Sequence, residues 1–268
     1  MERSPPKIIP VKDPEEQYLN KNGMPPVHPH LPNIDGFGGG ACLLLVSPVK
    51  TGKSTLISNL LLNSDFYDAQ ERFDSTHIIS NTIANDVTSR FLKDAFDTYD
   101  QYNDNIIDGI VERQKSFPKE EQPEISVIID DCLGSIKREG RINHLASRFR
   151  HFNIKLLVIS SQNFRAVSPI IRQNATNVIV GSPFPNRKEL LKVAEEYGDL
   201  FGGPEKWMAL YRKATPDRYN FIHMDLQENP PKMYKNFDEL IATGDSAMEN
   251  KGDEELLKKE NVEENVEE

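Results

Sequence analysis

Six short stretches of this chain are apolar almost without interruption, and they limit the fold more than any other feature. They lie at 41–47, 76–81, 125–131, 154–162, 176–182 and 219–226, and each is rich in β-branched residues. A strand with one face in water alternates apolar and polar residues. A continuous apolar run suits a strand covered on both faces, as in a parallel sheet. Helical patterns separate these runs at 53–63, 86–99, 106–117, 142–149 and 186–197. Strands alternating with helices predict an α/β fold with a parallel sheet. No internal repeat accompanies the alternation.

The flanks have a different composition. Residues 1–40 hold eight of the 18 prolines and end in Gly36-Phe37-Gly38-Gly39-Gly40. Proline at this density blocks helices and central strands. The segment reads as an extended arm against the body or a neighbour, with the glycines as a hinge. No strand precedes those glycines, so they are not a dinucleotide-binding fingerprint. At the other end, residues 245–268 contain ten acidic and three basic side chains, a net of −7 within the chain's −10. They read as a disordered acidic tail. The expected organisation is therefore an arm (1–40), one domain (41–244) and a tail (245–268), with a body close to neutral.

Several classes are excluded at this stage. The longest apolar run, residues 41–46, is too short to span a bilayer, and Met1-Glu2-Arg3-Ser4-Pro5 has no signal-peptide core. Two cysteines, Cys42 and Cys132, cannot supply a disulfide framework or a cysteine-based zinc site, and they read as small buried hydrophobes. The expectation is an intracellular protein that uses few cofactors other than a nucleotide.

Between the first strand and the first helix stands Ser47-Pro48-Val49-Lys50-Thr51-Gly52-Lys53-Ser54, followed by Thr55. This is the Walker A pattern G-x-x-x-x-G-K-[ST] with Ser47 in place of the first glycine. In such a loop, backbone N–H groups and the helix N-terminus face the β- and γ-phosphates of a nucleotide. Lys53 adds a point charge, the Ser54 hydroxyl ligates Mg²⁺, and Gly52 lets the backbone approach closely. The run 125–131 ends in Asp130-Asp131, the form of a Walker B strand. Asp130 at the carboxyl end of a parallel strand reaches the magnesium shell, and Asp131 beside it suits a general base for water. Asp131 is one methylene shorter than the glutamate usual there. The run 154–162 ends in Gln162.

This series, continued by Arg148-Phe149-Arg150-His151-Phe152-Asn153-Ile154, Ile171-Arg172-Gln173-Asn174 and Tyr219-Asn220-Phe221-Ile222, resembles the poxvirus-type genome-packaging ATPases of the FtsK–HerA superfamily. The resemblance covers roughly residues 41–241. It implies a three-layer P-loop NTPase of the additional-strand, RecA-like type with a mainly parallel sheet. In that fold the strand ending at Gln162 lies between the Walker A and Walker B strands, and Gln162 bonds the water or γ-phosphate. It implies ATP and Mg²⁺ as cofactors. Double-stranded DNA is the implied substrate, moved by a homomeric ring of five or six subunits into a preformed capsid. Capsid or portal proteins are implied partners, in a virion or at a viral assembly site in a cytoplasmic factory or nucleus. It further implies an arginine acting on the neighbour's ATP. Arg150 matches best by spacing, then Arg148, then Arg172.

The near-neutral body requires DNA contacts to be local. Lys137, Arg138 and Arg141, or Asn163-Phe164-Arg165, are the segments expected to line a ring lumen. Competing readings are a small-molecule kinase, a GTPase or a nucleotide-gated assembly scaffold. A GTPase should carry Asn-Lys-x-Asp; the nearest string, Asn20-Lys21-Asn22-Gly23, precedes Walker A and lacks the acid.

Overall fold

The structure is a computed structural model that describes residues 28–35, 39–83, 90–132 and 140–244. The acidic tail, most of the arm, Lys137 and Arg138 lie outside the described residues.

Nine strands among the described residues form one sheet: β1 (Ala41–Val46), β2 (Ser75–Ser80), β3 (Asp97–Tyr99), β4 (Ile125–Asp130), β5 (Ile154–Ser161), β6 (Asn177–Gly181), β7 (Phe221–Asp225), β8 (Lys232–Lys235) and β9 (Glu239–Thr243). Their order is β3-β2-β4-β5-β1-β6-β7-β8-β9. Pairings from β3 across to β6 are parallel, and β7, β8 and β9 extend the sheet antiparallel. The strand ending near Gln162 therefore lies between the Walker A and Walker B strands.

β1 shows why its run is continuous. Cys42, Leu44 and Val46 pack on one face with Ile129, Ile159, Val180 and Trp207. Ala41, Leu43 and Leu45 pack on the other with Ile57, Leu60, Ile128 and Val158. No residue of the strand is more than 1% exposed. One helical layer holds α1 (Lys53–Leu62), α2 (Ala69–Arg72) and α3 (Arg90–Ala95). The other holds α4 (Asp104–Lys115), α5 (Arg141–Arg148), α6 (Pro169–Asn174), α7 (Arg187–Tyr197) and α8 (Pro204–Ala214). The result is a three-layer α/β fold.

One helix expectation needs correction. The pattern at 86–99 ends as strand β3, because Asp97–Tyr99 pairs with β2 at the sheet's edge. Residues 28–35 lie against the body. Leu31 and Ile34 are buried beside Tyr67 and Phe237, and the Tyr67 hydroxyl donates to the Pro32 carbonyl at 2.6 Å.

The register sets the position of the chemistry. Val46 pairs with Ser161, Asp130 with Ser160, and Ser80 with Asp130. The residues that follow β1, β4 and β5 thus leave the sheet along one edge, at its carboxyl end.

Candidate nucleotide site

Ser47 to Gly52 form the turn from β1 into α1. Gly52 caps α1 at φ +91°, and Lys50 also takes a positive φ of +62°. No side chain caps the helix, and no acid stands in its first turn. Its first N–H groups are therefore open to an anion, with the helix dipole in favour. Thr51 Oγ1 donates to the Pro48 carbonyl at 2.5 Å and is hydrogen-bonded to Ser47 Oγ.

The serine at the first position has a partner change across the sheet. A Cβ on Gly181 would lie 2.0 Å from Ser47 Oγ and 2.9 Å from Ser47 Cβ. The Ser47 side chain occupies the space that any residue but glycine would need at the end of β6. The missing glycine of the loop is matched by a glycine on the neighbouring strand.

Lys53, Asp130, Asp131 and Gln162 meet beside this loop. The Lys53 ammonium, buried at 8% exposure, is ion-paired with Asp131 and lies 3.8 Å from Asp130 Oδ1. Gln162 Nε2 donates to Asp131 Oδ2 at 3.0 Å. The backbone at Asp131 takes the left-handed region at φ +53°, and its N–H donates to Ser160 Oγ at 3.2 Å. That turn brings the shorter carboxylate to both Lys53 and Gln162.

Asp130 is held from behind by two hydroxyls. Ser160 Oγ donates to one oxygen and Ser80 Oγ to the other, the latter at 3.2 Å. Burial pushes its carboxyl above the usual range. Lys53 and the Ser160 hydrogen bond oppose that shift, and Asp131 adds to it. A buried acid raised in this way is relieved by a divalent cation. Asp130 offers carboxylate oxygen, the donor a hard ion takes, and Ser54 stands in the first turn of α1. No cluster of three His, Cys, Asp or Glu capable of holding a metal occurs among the described residues. Asp130 and Ser54 are oxygen donors of the kind that fit Mg²⁺.

The arginines are distributed differently. Arg150 follows α5 in a short 3₁₀ turn before β5, at the amino end of the sheet. The eight residues of β5, at about 3.3 Å each, separate it from Gln162 by roughly 25 Å. It is exposed, stacks on Phe149 and donates weakly to the Gly40 carbonyl at 3.4 Å. Arg148, Arg150 and His151 line a surface hollow of about 770 Å³ with Lys119. Arg172 is engaged within the body: it pairs with Glu196 at 2.6 Å and lies over Phe164.

The two DNA-contact candidates among the described residues are both ion-paired. Arg141 meets Asp108 at 3.0 Å, and Arg165 meets Glu189 at 3.1 Å. Phe164 is fully buried in the core, so it is not available to a lumen. Both cysteines are also fully buried, and burial pushes each thiol up to about 12.

Two residues with no role expected from the sequence border the loop. Arg218 donates to the Lys50 carbonyl at 3.1 Å, and the Tyr219 ring lies against Gly52. They join α8 to β7, far from the loop in sequence. The only sequence signal was the Tyr219-Asn220-Phe221-Ile222 string, which assigned neither residue a task.

Sheet order, glycine-capped loop and strand-end acids define a three-layer α/β fold of the P-loop NTPase class. Solved structures of the same fold include the genome packaging NTPase B204 from Sulfolobus turreted icosahedral virus 2. Its AMP complex is 19% identical, with 78% of this chain and 98% of that one covered and a TM-score of 0.51. Its ATP-gammaS complex is 18% identical, with 75% and 98% covered and a TM-score of 0.53. B204 from Sulfolobus Turreted Icosahedral Virus, described as a DNA-packaging ATPase, is 18% identical, with 72% and 96% covered and a TM-score of 0.53. The chain shares its fold with these packaging NTPase structures.

Relatives by sequence are viral. Uncharacterized protein 015R of Frog virus 3 (isolate Goorha) is 27% identical over 173 residues, which are 62% of this chain and 51% of that protein. Uncharacterized protein 075L of Invertebrate iridescent virus 6 is 26% identical over 203 residues, 72% and 74% of the two chains. The chain spans about half the length of the frog virus relative. No protein-family model matches the chain. No helix among the described residues is long and apolar enough to cross a membrane.

Proposed function

We propose that this chain is an ATP-hydrolysing motor that moves double-stranded DNA into a preformed viral capsid as a homomeric ring. The observation that carries the hydrolytic part is the convergence of Lys53, Asp130, Asp131 and Gln162 beside a helix capped by glycine and without a side-chain cap. The likeness to a viral genome-packaging NTPase supports the packaging part.

In this reading the loop of residues 47–55 holds the phosphates through the N–H groups that follow Pro48 and through the Lys53 ammonium. Triphosphate oxygens compete with Asp131 for Lys53. Once released, Asp131 is free to accept a proton from an attacking water, and Gln162, already hydrogen-bonded to it, orients that water. Ser54 and Asp130 would hold Mg²⁺, which when bound would supply positive charge against the phosphates. Arg150 lies at the opposite end of the sheet from its own loop, so it serves the nucleotide of an adjacent subunit. A guanidinium so placed is worth about 10³–10⁵ in rate in other P-loop systems. Arg148 is the alternative donor. Arg172, tied to Glu196, is the weakest of the three. Lys137, Arg138, Arg141 and Arg165 remain the proposed DNA-facing cations, the last two after exchanging their carboxylate partners for phosphates. Capsid or portal proteins are the proposed docking partners.

The test is the ATPase rate of the full chain with and without linear double-stranded DNA. Stimulation by DNA supports the motor. Phosphate transfer to a small acceptor would assign the site to a kinase, and nucleotide binding without turnover would assign it to a scaffold.

A further inference from the structure

The loop between α8 and β7 leans on the phosphate loop. Arg218 Nη2 donates to the Lys50 carbonyl at 3.1 Å, across 168 residues of sequence. The same guanidinium lies 5.1 Å from the centre of the Tyr219 ring. That ring borders the start of α1: a Cβ on Gly52 would sit 3.2 Å from Tyr219 Cδ1. Glycine at the cap leaves room for the aromatic edge.

Two features of Tyr219 work against folding alone. It is a bulky residue at φ +75°, a backbone region disfavoured for any side chain of its size. The residue is also 46% exposed, whereas Tyr67, Tyr197 and Tyr211 are buried in the core. Surrounding bonds enforce this conformation. The Tyr219 N–H donates to the Ser182 carbonyl at 3.2 Å, and the Asp217 N–H donates to Asn220 Oδ1 at 3.2 Å. The fold holds an exposed ring in a strained position, fastened by its arginine neighbour to the phosphate loop.

We infer that Tyr219, backed by Arg218, is the platform on which the base of a bound nucleoside triphosphate stacks. The inference rests on the nucleotide reading above. Phosphates gripped by the loop and Lys53 leave sugar and base outside the start of α1, and the Tyr219 ring is an exposed aromatic surface at that position. Every base has a π face, and a stacked guanidinium adds cation–π attraction, so such a platform supplies affinity without reading base edges.

Calorimetric titration of the full chain in Mg²⁺ with ATP and with inorganic tripolyphosphate tests this. Tyr219→Gly and Tyr219→Phe are compared with the wild type, and glycine is chosen because it accepts φ +75° without strain. A thermal midpoint at or above wild type verifies that the glycine variant folds. Tyr219→Gly should weaken ATP about 5- to 150-fold, the range for loss of one base–aromatic stack, and leave tripolyphosphate affinity unchanged. Tyr219→Phe keeps the π face and should stay within about twofold of wild type for ATP. Unchanged ATP affinity in Tyr219→Gly, or equal loss of both ligands, overturns the platform. A wild-type chain that binds neither ligand overturns the nucleotide reading and the platform with it.

Discussion

Substituting alanine for Gly181 should damage the phosphate loop from the neighbouring strand, and removing the Ser47 side chain should repair it. The added methyl would lie 2.0 Å from Ser47 Oγ and 2.9 Å from Ser47 Cβ, both inside van der Waals contact. Neither side can give way easily. Ser47 is fixed by its N–H bond to the Ser161 carbonyl at 3.0 Å and by Thr51. Gly181 is fixed by pairing with Phe221 and by the Tyr211 hydroxyl, which donates to its carbonyl at 2.8 Å. Overpacking of this kind costs about 1–3 kcal/mol. Ser47→Gly alone loses one buried hydrogen bond, about 1 kcal/mol. In the double variant the nearest atom to the new methyl is Ser47 Cα at 3.6 Å, an ordinary contact. The two changes should therefore compensate, with a coupling energy on the order of 1–3 kcal/mol. Urea unfolding read by Trp207 fluorescence measures it, since Trp207 is the only tryptophan and is fully buried. A coupling below about 0.5 kcal/mol would refute the idea that glycine at 181 answers serine at 47.

Three further outcomes are expected. Lys53→Ala should abolish ATP binding and, at pH 7, lower stability, because Asp130 and Asp131 are left without their cation; part of that stability should return as pH falls and Asp130, already raised by burial, takes up a proton. Unaltered turnover in this variant would remove the site assignment. Arg150→Ala should keep ATP binding and lose turnover, and mixing it with Asp131→Asn should restore some activity in shared assemblies; an absence of recovery in mixed preparations counts against action on a neighbour. His223 is fully buried against Tyr234 and Phe237, with Nε2 bonded to Asn177 at 3.1 Å, and burial pulls it down to about 3 from an ordinary 6.5. The unfolded chain then binds a proton that the folded chain refuses. Stability should fall as pH drops below about 6.5, by up to about 1.4 kcal/mol per pH unit from this one group until near pH 3. Urea midpoints across that range for the wild type and His223→Gln report it, and equal slopes would remove His223 as the cause.

Much of the sheet was legible because its strands are buried on both faces. β1, β4 and β5 read as nearly continuous apolar runs, and the segments at 53–63, 106–117, 142–149 and 186–197 read as helices. Edge elements were not legible for the opposite reason. β3 is three residues whose strand character exists only through pairing with β2. α8 was missed although its signals were local: Pro204 follows two glycines, and Trp207, Met208, Tyr211 and Ala214 form a buried stripe at helical spacing. The short antiparallel strands β8 and β9 carry mixed polarity and become strands by continuing β7.

The site divides along the same line. Residues adjacent in the chain state their own chemistry: a glycine and lysine opening a helix, two acids closing an apolar strand. Their backbone geometry is set by neighbours a few positions away, so the sequence alone determined that a phosphate loop and a carboxylate pair exist. Only the tertiary structure decided what stands around them. Parallel register brought Gln162 to Asp131, and it placed Arg150 at the far end of the sheet from the loop of its own subunit. Packing across β1 and β6 matched Gly181 to Ser47. A distant loop set Tyr219 on Gly52. Contacts between positions more than a hundred residues apart leave no local pattern in either segment, because burial and register, not propensity, choose the partner.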